Sequence, residues 1–161
     1  MIVPCAFRKI YQICKVQKLN FPYYSFRFKN SENKTQIFDE LRKKFVALKP
    51  EEWVRQHCLK YIIYNKKFPK TLINVEKKII VNGLNKRYDI VILNPGGSIF
   101  CIIECKAPNV KINQKTFDQI AKYNRTLNAK YLMVTNGLNH YYCLINDNSY
   151  TFLDTLPEYK K

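Results

Sequence analysis

The sequence predicts an α/β domain: a mixed central β-sheet flanked by helices. Three observations carry this. Short apolar runs of strand character recur on both sides of helical segments. One of them, Ile99–Ile103, is apolar without alternation, as expected of a strand covered on both faces. Turn-forming groups such as Asn82-Gly83, Pro95–Ser98 and Asn136-Gly137 separate the runs. The resulting order is strands, a helix, three strands, a helix, then two or three strands, which is satisfied by helices packed on one mixed sheet.

Taken in order, residues 1–20 mix Lys and Arg with apolar residues without a firm period, and read as an N-terminal extension. Residues 21–161 read as a single domain. Tyr24–Phe28 alternates like a strand, Asn30–Asn33 turns, and Ile37-Phe38 and Phe45–Leu48 are short strand candidates. Pro50 followed by Glu51 and Glu52 opens a helix, with proline in the first turn and acids at the positive dipole end. Val54, Cys58, Tyr61 and Ile62 recur at helical spacing and carry it to about Asn65. Leu72–Val81, Tyr88–Leu93 and Ile99–Lys106 are strands joined by tight turns. Pro108 and Asn109 break the last of them, and Asn113 or a neighbour starts a helix through Phe117, Ile120, Ala121 and Leu127. Residues 130–135 form a buried strand, His140–Ile145 another, and Tyr150–Leu153 a last one.

A chain of 161 residues is long enough to bury a core without covalent staples. Its net charge of +16 favours a polyanionic partner, although most of the excess is Lys, and only Arg8, Arg27, Arg42, Arg55, Arg87 and Arg125 are arginines. The six cysteines form no CxxC pair, and neither His57 nor His140 is spaced with them as a zinc ligand. Free buried thiols in a reducing cytoplasm are the expectation. Arg8 interrupts the apolar start too early for a secretory signal, and no run approaches the roughly eighteen apolar residues of a membrane span.

The chemistry concentrates at one strand end. Glu104 and Lys106 stand two apart and so share a strand face, while Cys101, Ile103 and Cys105 point to the other. Asp89 is the lone acid of the preceding strand. If Asn94 pairs with Ile99 across the Pro95–Ser98 loop, Asp89 falls opposite Glu104, about 5 Å away between Cβ atoms. Two carboxylates so close repel, and a divalent cation with oxygen ligands resolves the conflict. Lys106 beside them can stabilise charge on a phosphate or help activate water. The alternative is a plain ion pair of Lys106 with one carboxylate at a solvated sheet end.

Asp89 followed by Glu104-Cys105-Lys106 resembles the D…ExK signature of the PD-(D/E)xK nuclease superfamily. Pro50-Glu-Glu-Trp-Val-Arg-Gln56, Leu72-Ile-Asn-Val-Glu76, Tyr88-Asp-Ile90, Glu104-Cys-Lys-Ala-Pro108 and Gln119-Ile-Ala-Lys-Tyr123 resemble the N-terminal nuclease domain of type I restriction enzyme R subunits. The similarity runs over about residues 20–145. It implies a restriction-endonuclease-like fold and a Mg²⁺-dependent endonuclease hydrolysing DNA, with Mn²⁺ able to stand in. Asp89 and Glu104 would be the metal ligands and Lys106 the catalytic lysine. Gln119 and Tyr123 match the QxxxY motif, one helical turn apart on one face. Glu52 matches an acid that reaches towards the metal from the first helix, with Glu51 its rival and Glu76 a weaker candidate.

Asp89 follows Tyr88 where the superfamily motif is loosely Pro-Asp. The chain carries no GxxxxGK[ST] phosphate loop, so ATP-driven cleavage is expected to need separate restriction-modification or motor subunits. DNA is the expected partner, the cytoplasm the expected location, and no membrane association is expected. The alternative function is a non-cleaving DNA-binding or assembly module that retains the nuclease fold. RNA binding lacks any RNP-type motif. Arg87, Lys86 and Lys111, with Lys77 and Lys78 further off, are candidate phosphate contacts. Tyr123, Tyr141 and Tyr142 are available for stacking. His57 and His140 read as structural or surface residues.

Overall fold

The structure is a computed structural model that describes residues 17–31, 34–81, 84–146 and 149–160. Most of the expected extension, residues 1–16, lies outside them, as do Cys5, Cys14 and the turn residues Asn82 and Gly83. A three-stranded antiparallel meander comes first: β1 (Phe28–Ser31), β2 (Lys34–Asp39) and β3 (Lys44–Ala47). Helix α1 (Pro50–Lys60) follows, then a π-helical turn over Tyr61–Asn65 and a 3₁₀ turn over Lys70–Leu72. The main sheet contains β4 (Ile73–Val81), β5 (Leu84–Leu93), β6 (Ile99–Cys105), β7 (Tyr131–Thr135), β8 (His140–Ile145) and β9 (Tyr150–Leu153), in that spatial order. Helix α2 (Gln114–Leu127) carries the chain from β6 to β7, the one parallel pair of that sheet. The expected mixed sheet with helices on it is what the chain forms.

The helix limits follow from local chemistry. Pro50 fits the first turn of α1, where its missing N–H is no loss, and Glu51 and Glu52 face the positive end. The expected extent to Asn65 holds, but its last five residues widen into a π-turn, with Lys66 N–H donating to Tyr61 O at 3.0 Å. Asn113 caps α2, its Oδ1 accepting from Thr116 N–H at 2.9 Å. Asn128 ends that helix in the left-handed region at φ 51°, a conformation asparagine tolerates. The strand expected from Tyr24 begins only at Phe28. Residues 22–27 run as irregular chain, with Phe26 and Phe28 both turned onto Trp53, at 5.1 and 6.2 Å between ring centroids.

Two apolar clusters line the main sheet. Cys101, Ile103 and Cys105 of β6 join Ile90 and Ile92 of β5 and pack with Trp53, Val54, Cys58 and Leu59 of α1. On the other face Ile102, Val91, Leu132 and Val134 pack under Phe117 of α2. Glu52 through Leu59 are all buried, because α1 also carries the small sheet, whose Ile37 and Val46 enter the same cluster. This polar helix is therefore closed in on all sides, an environment its periodicity did not suggest. Cys58, Cys101, Cys105 and Cys143 are free and buried, as expected.

Asp39 ties the small sheet to α1. Fully buried at the end of β2, it accepts from the backbone N–H groups of Leu41 and Arg42, from Arg42 Nε at 2.6 Å and from Gln56 Nε2 at 2.9 Å. Burial alone would raise its pKa, but the bonds and charge of Arg42, with Gln56, outweigh it and hold the carboxyl below its usual range. At the far end of α1, His57 is pushed down to about 4 by burial and donates through Nδ1 to Trp53 O. It is a neutral core residue.

The segment Gln17–Asn20 docks on the turn after β7. Trp53 Nε1 donates to Gln17 O at 2.9 Å, and Asn20 N–H donates to Gly137 O at 2.7 Å. Leu19 is buried against Gly137, where an added Cβ would come within 2.7 Å of Leu19 Cδ2, at a φ of +82°. Gly137→Ala should therefore cost about 2–4 kcal/mol, from left-handed strain and overpacking together. Urea unfolding measures it, and an unchanged midpoint would show that Leu19 does not sit there. Asp39→Ala should cost about 3–5 kcal/mol, since it leaves Arg42 Nε, Gln56 and two buried backbone amides without their shared acceptor. The stabilisation from Asp39 is complete above the ordinary carboxylate range and lost as pH falls through its lowered folded pKa. Wild type and variant should thus converge in stability on acidification.

Candidate active site

The site lies where the apolar runs of β5 and β6 stop. Leu93 pairs with Ile99, not Asn94 as expected, and this shift alone would put Asp89 opposite Ile103. A bulge restores the phase. Ile92 pairs with Cys101, so Phe100 is an extra residue on β6, and Ile90 then pairs with Ile103. The continued register sets Asp89 against Glu104. Phe100 packs on Phe68 and Tyr131 in the cluster that also takes Cys101, which accommodates two successive side chains on one face.

Asp89 and Glu104 are held differently. Asp89 Oδ2 accepts from the backbone N–H of Cys105 at 2.7 Å, and its Oδ1 lies 3.3 Å from Arg55 Nη2. Glu104 Oε1 accepts from Lys106 Nζ at 2.8 Å, so the two side chains do share a face. The strand ends at Cys105, yet Lys106 N–H still donates to Thr135 O, which carries the strand direction one residue further.

Burial pushes the Asp89 carboxyl up, further helped by the charge of Glu51 and opposed by Cys105 N–H, Arg55 and Lys106. Burial and the neighbouring Asp89 push Glu104 up against the hydrogen bond and charge of Lys106. For Lys106 burial acts downward, but Glu104, Asp89 and Glu51 outweigh it and raise the ammonium above its ordinary value. Loss of water is thus the main force against both charges, with repulsion from Asp89 added at Glu104.

A divalent cation fits such a pair. The donors are hard carboxylate oxygens, and Mg²⁺ commonly takes only one or two carboxylates, with water and phosphate oxygens completing its shell. Among the described residues no group of three or more His, Cys, Asp or Glu side chains gathers at metal-holding range, so Asp89 and Glu104 would supply a sparse protein share.

Glu52 does not join Asp89 and Glu104 in a metal-holding group among the described residues. It accepts from Arg42 Nη2 at 2.9 Å and Gln56 Nε2 at 2.8 Å, and Arg55 Nη1 lies 3.1 Å away. Its link to Asp89 runs through Arg55. Glu51, 3.9 Å from Arg55, is the acid of this turn whose charge acts on Asp89 and Lys106. Gln119 and Tyr123 both lie on α2, and the roles expected of their side chains fall outside the described residues, as does that of Lys86. Arg87 is exposed, 3.6 Å from Glu76, and Lys111 is exposed. Tyr142 is buried, and Tyr141 lies partly buried against the α2-side cluster. His140 donates through Nε2 to Asn20 O and accepts at Nδ1 from Thr135, a structural arrangement.

Sequence reasoning missed the arginines. Arg42 contacts Asp39, Glu52 and Glu76, and Arg55 contacts Glu52, Glu76 and Asp89. A signal was present: arginine is scarce in this Lys-rich chain, and Arg55 stands inside the Pro50–Gln56 segment. Glu76 sits between the paired residues Val75 and Lys77 of β4 with φ at 48°, a strained value for a non-glycine residue.

A search of curated proteins returned no match. A scan against protein families matched residues 50–157, from the first residue of α1 to beyond β9, to the type I restriction enzyme R protein N terminus (HSDR_N). That span contains Glu52, Arg55, Asp89, Glu104, Lys106, Gln119 and Tyr123, and it covers well over half of the chain. The chain belongs to the family of type I restriction enzyme R protein N-terminal domains.

Proposed function

We propose that this chain is a Mg²⁺-dependent DNA endonuclease domain that hydrolyses phosphodiester bonds. The observation that carries the reading is the meeting of Asp89, Glu104 and Lys106 at one strand end, with both carboxyls pushed up by burial. Asp89 and Glu104 would hold Mg²⁺, or Mn²⁺ in its place, which when bound supplies an activated water and neutralises charge on the phosphate. Cys105 N–H orients Asp89 before any ligand arrives. Lys106, kept protonated by its acidic neighbours, suits stabilisation of the pentavalent phosphate's charge better than proton abstraction from water. Glu52 acts through Arg55, and Gln119 and Tyr123 are proposed to orient DNA from α2. The net charge of +16 favours the polyanion. Family membership supports other restriction-modification or motor subunits as partners in the cytoplasm. Among the described residues no helix is long and apolar enough to cross a membrane.

One observation favours the alternative, a DNA-binding or assembly module that does not cleave: Arg55 and Lys106 already engage both carboxylates. DNA binding indifferent to metal, with no cleavage under any cation, would support it.

Purified protein should nick plasmid DNA with Mg²⁺ or Mn²⁺, and Asp89→Ala should not; equal cleavage by both would overturn the assignment. Lys106→Met should lower the cleavage rate by about 100-fold or more while leaving Mn²⁺ binding measurable. A raised folded carboxyl pKa means that metal-free stability falls as pH rises through that value. Glu104→Gln should therefore stabilise the protein in EDTA at neutral pH by roughly 0.5–1 kcal/mol. Mg²⁺ should raise the melting temperature of wild type and leave that of Glu104→Gln nearly unchanged. A variant less stable than wild type in EDTA would contradict this electrostatic account.

A further inference from the structure

We propose that Arg55 is the internal counter-cation of the carboxylate pair, holding Asp89 in the metal-free protein and releasing it onto Glu52 and Glu76 when a divalent cation binds. Arg55 thereby sets the cation affinity of the site. The inference rests on the reading of Asp89 and Glu104 as metal ligands.

Geometry makes the release feasible. Arg55 is buried, with a side chain 5% exposed, and its guanidinium meets four carboxylates. Nη1 lies 3.0 Å from Glu76 and 3.1 Å from Glu52, as ion pairs without hydrogen-bond geometry, whereas Nη2 lies 3.3 Å from Asp89 and 3.9 Å from Glu51. Asp89 and Glu51 share Nη2 while Glu52 and Glu76 share Nη1, so Arg55 can give up Asp89 and keep the acids on its other nitrogen. Asp89 does not depend on it for orientation, because Cys105 N–H holds the other oxygen at 2.7 Å. The two retained partners are themselves fixed. Arg42 bonds both Glu52 and Glu76 and is anchored at 2.6 Å by the fully buried Asp39. A guanidinium that lets go of Asp89 is thus never left unpaired in the interior, where an isolated charge would be costly.

The arrangement also accounts for Glu76. Its left-handed backbone in mid-strand is unfavourable for a glutamate, yet its carboxylate meets Arg42, Arg55 and Arg87. A residue whose only task was to fill a sheet edge would not need that conformation. A planar guanidinium presents five donors in a fixed fork and so can face several acids at once, a geometry that an ammonium on its flexible stem would not fix.

The test uses isothermal titration of Mn²⁺ into the full chain. Arg55→Gln should bind Mn²⁺ about 3- to 10-fold more tightly, since a competing cation has been removed. Glu76→Gln should bind it about 3-fold or more weakly, since Arg55 loses one of its alternative partners and leans on Asp89. Loss of stability alone would weaken binding in both, so the opposite signs are diagnostic. If Arg55→Gln does not fold, the wild-type protein decides the matter. The NMR resonance of Arg55 Nε–H, a buried group with no hydrogen-bond acceptor among the described residues, should shift on Mg²⁺ titration with the midpoint of cation binding. Binding to Arg55→Gln that is equal or weaker, or a resonance unmoved at saturation, overturns the proposal alone. Wild type that binds no Mn²⁺, or binding that survives Asp89→Asn, overturns the metal-site reading and this inference with it.

Discussion

A carboxylate largely withdrawn from water must be compensated, and most of this site is the compensation of Asp89. Its charge is met by a backbone amide on one oxygen and a guanidinium on the other, yet Glu104 and Glu51 press against it. A charge-assisted bond such as that from Cys105 is worth about 1.5–3 kcal/mol. That is enough to hold one carboxylate in place and too little to neutralise two. The residual imbalance is the basis of the proposed cation site, and it persists only because the surrounding fold is stable enough to impose it.

That fold imposes it from two directions. β5 and β6 deliver Asp89 and Glu104 at the point where both faces of the sheet cease to be apolar. Helix α1, enclosed between the small sheet and the main one, delivers Arg55 and the first-turn acids to the same end. Asp39 makes the small sheet part of this machinery, since it fixes Arg42, and Arg42 fixes Glu52 and Glu76. Three β-strands that touch no candidate ligand thus determine where the cationic side chains of the site rest.

Much of this was legible in the amino-acid sequence. The unalternated run Ile99–Ile103 marked a strand covered on both faces, and period-two spacing put Glu104 and Lys106 on one side. Proline, acids and an asparagine cap marked both helices. The hairpin register was right at the site for an incomplete reason, since Phe100 cancels a one-residue shift at the loop. Such a bulge has no sequence signature among aromatic and aliphatic residues. The arginine network was equally hidden: Asp39 and Arg42 share the β2–β3 turn, but Arg55 and Glu76 lie on α1 and β4, and only the packed fold brings these three segments together. Burial of a helix as polar as α1 was likewise unreadable from its period, because it depends on a second sheet arriving from earlier in the chain.

The bulge at Phe100 has a consequence for how this hairpin can vary. Loop residues 95–98 lie on the far side of the bulge from Asp89, and pairing with β7 independently holds β6 from Cys101 onward. Lengthening or shortening the loop tip therefore leaves the Asp89–Glu104 end in frame. A single deletion within Cys101–Ile103 would instead slip β6 by one residue against β5 or β7, and Glu104 would exchange faces with Cys105. Insertions and deletions are thus admissible on one side of Phe100 and ruinous on the other, with one aromatic residue marking the boundary.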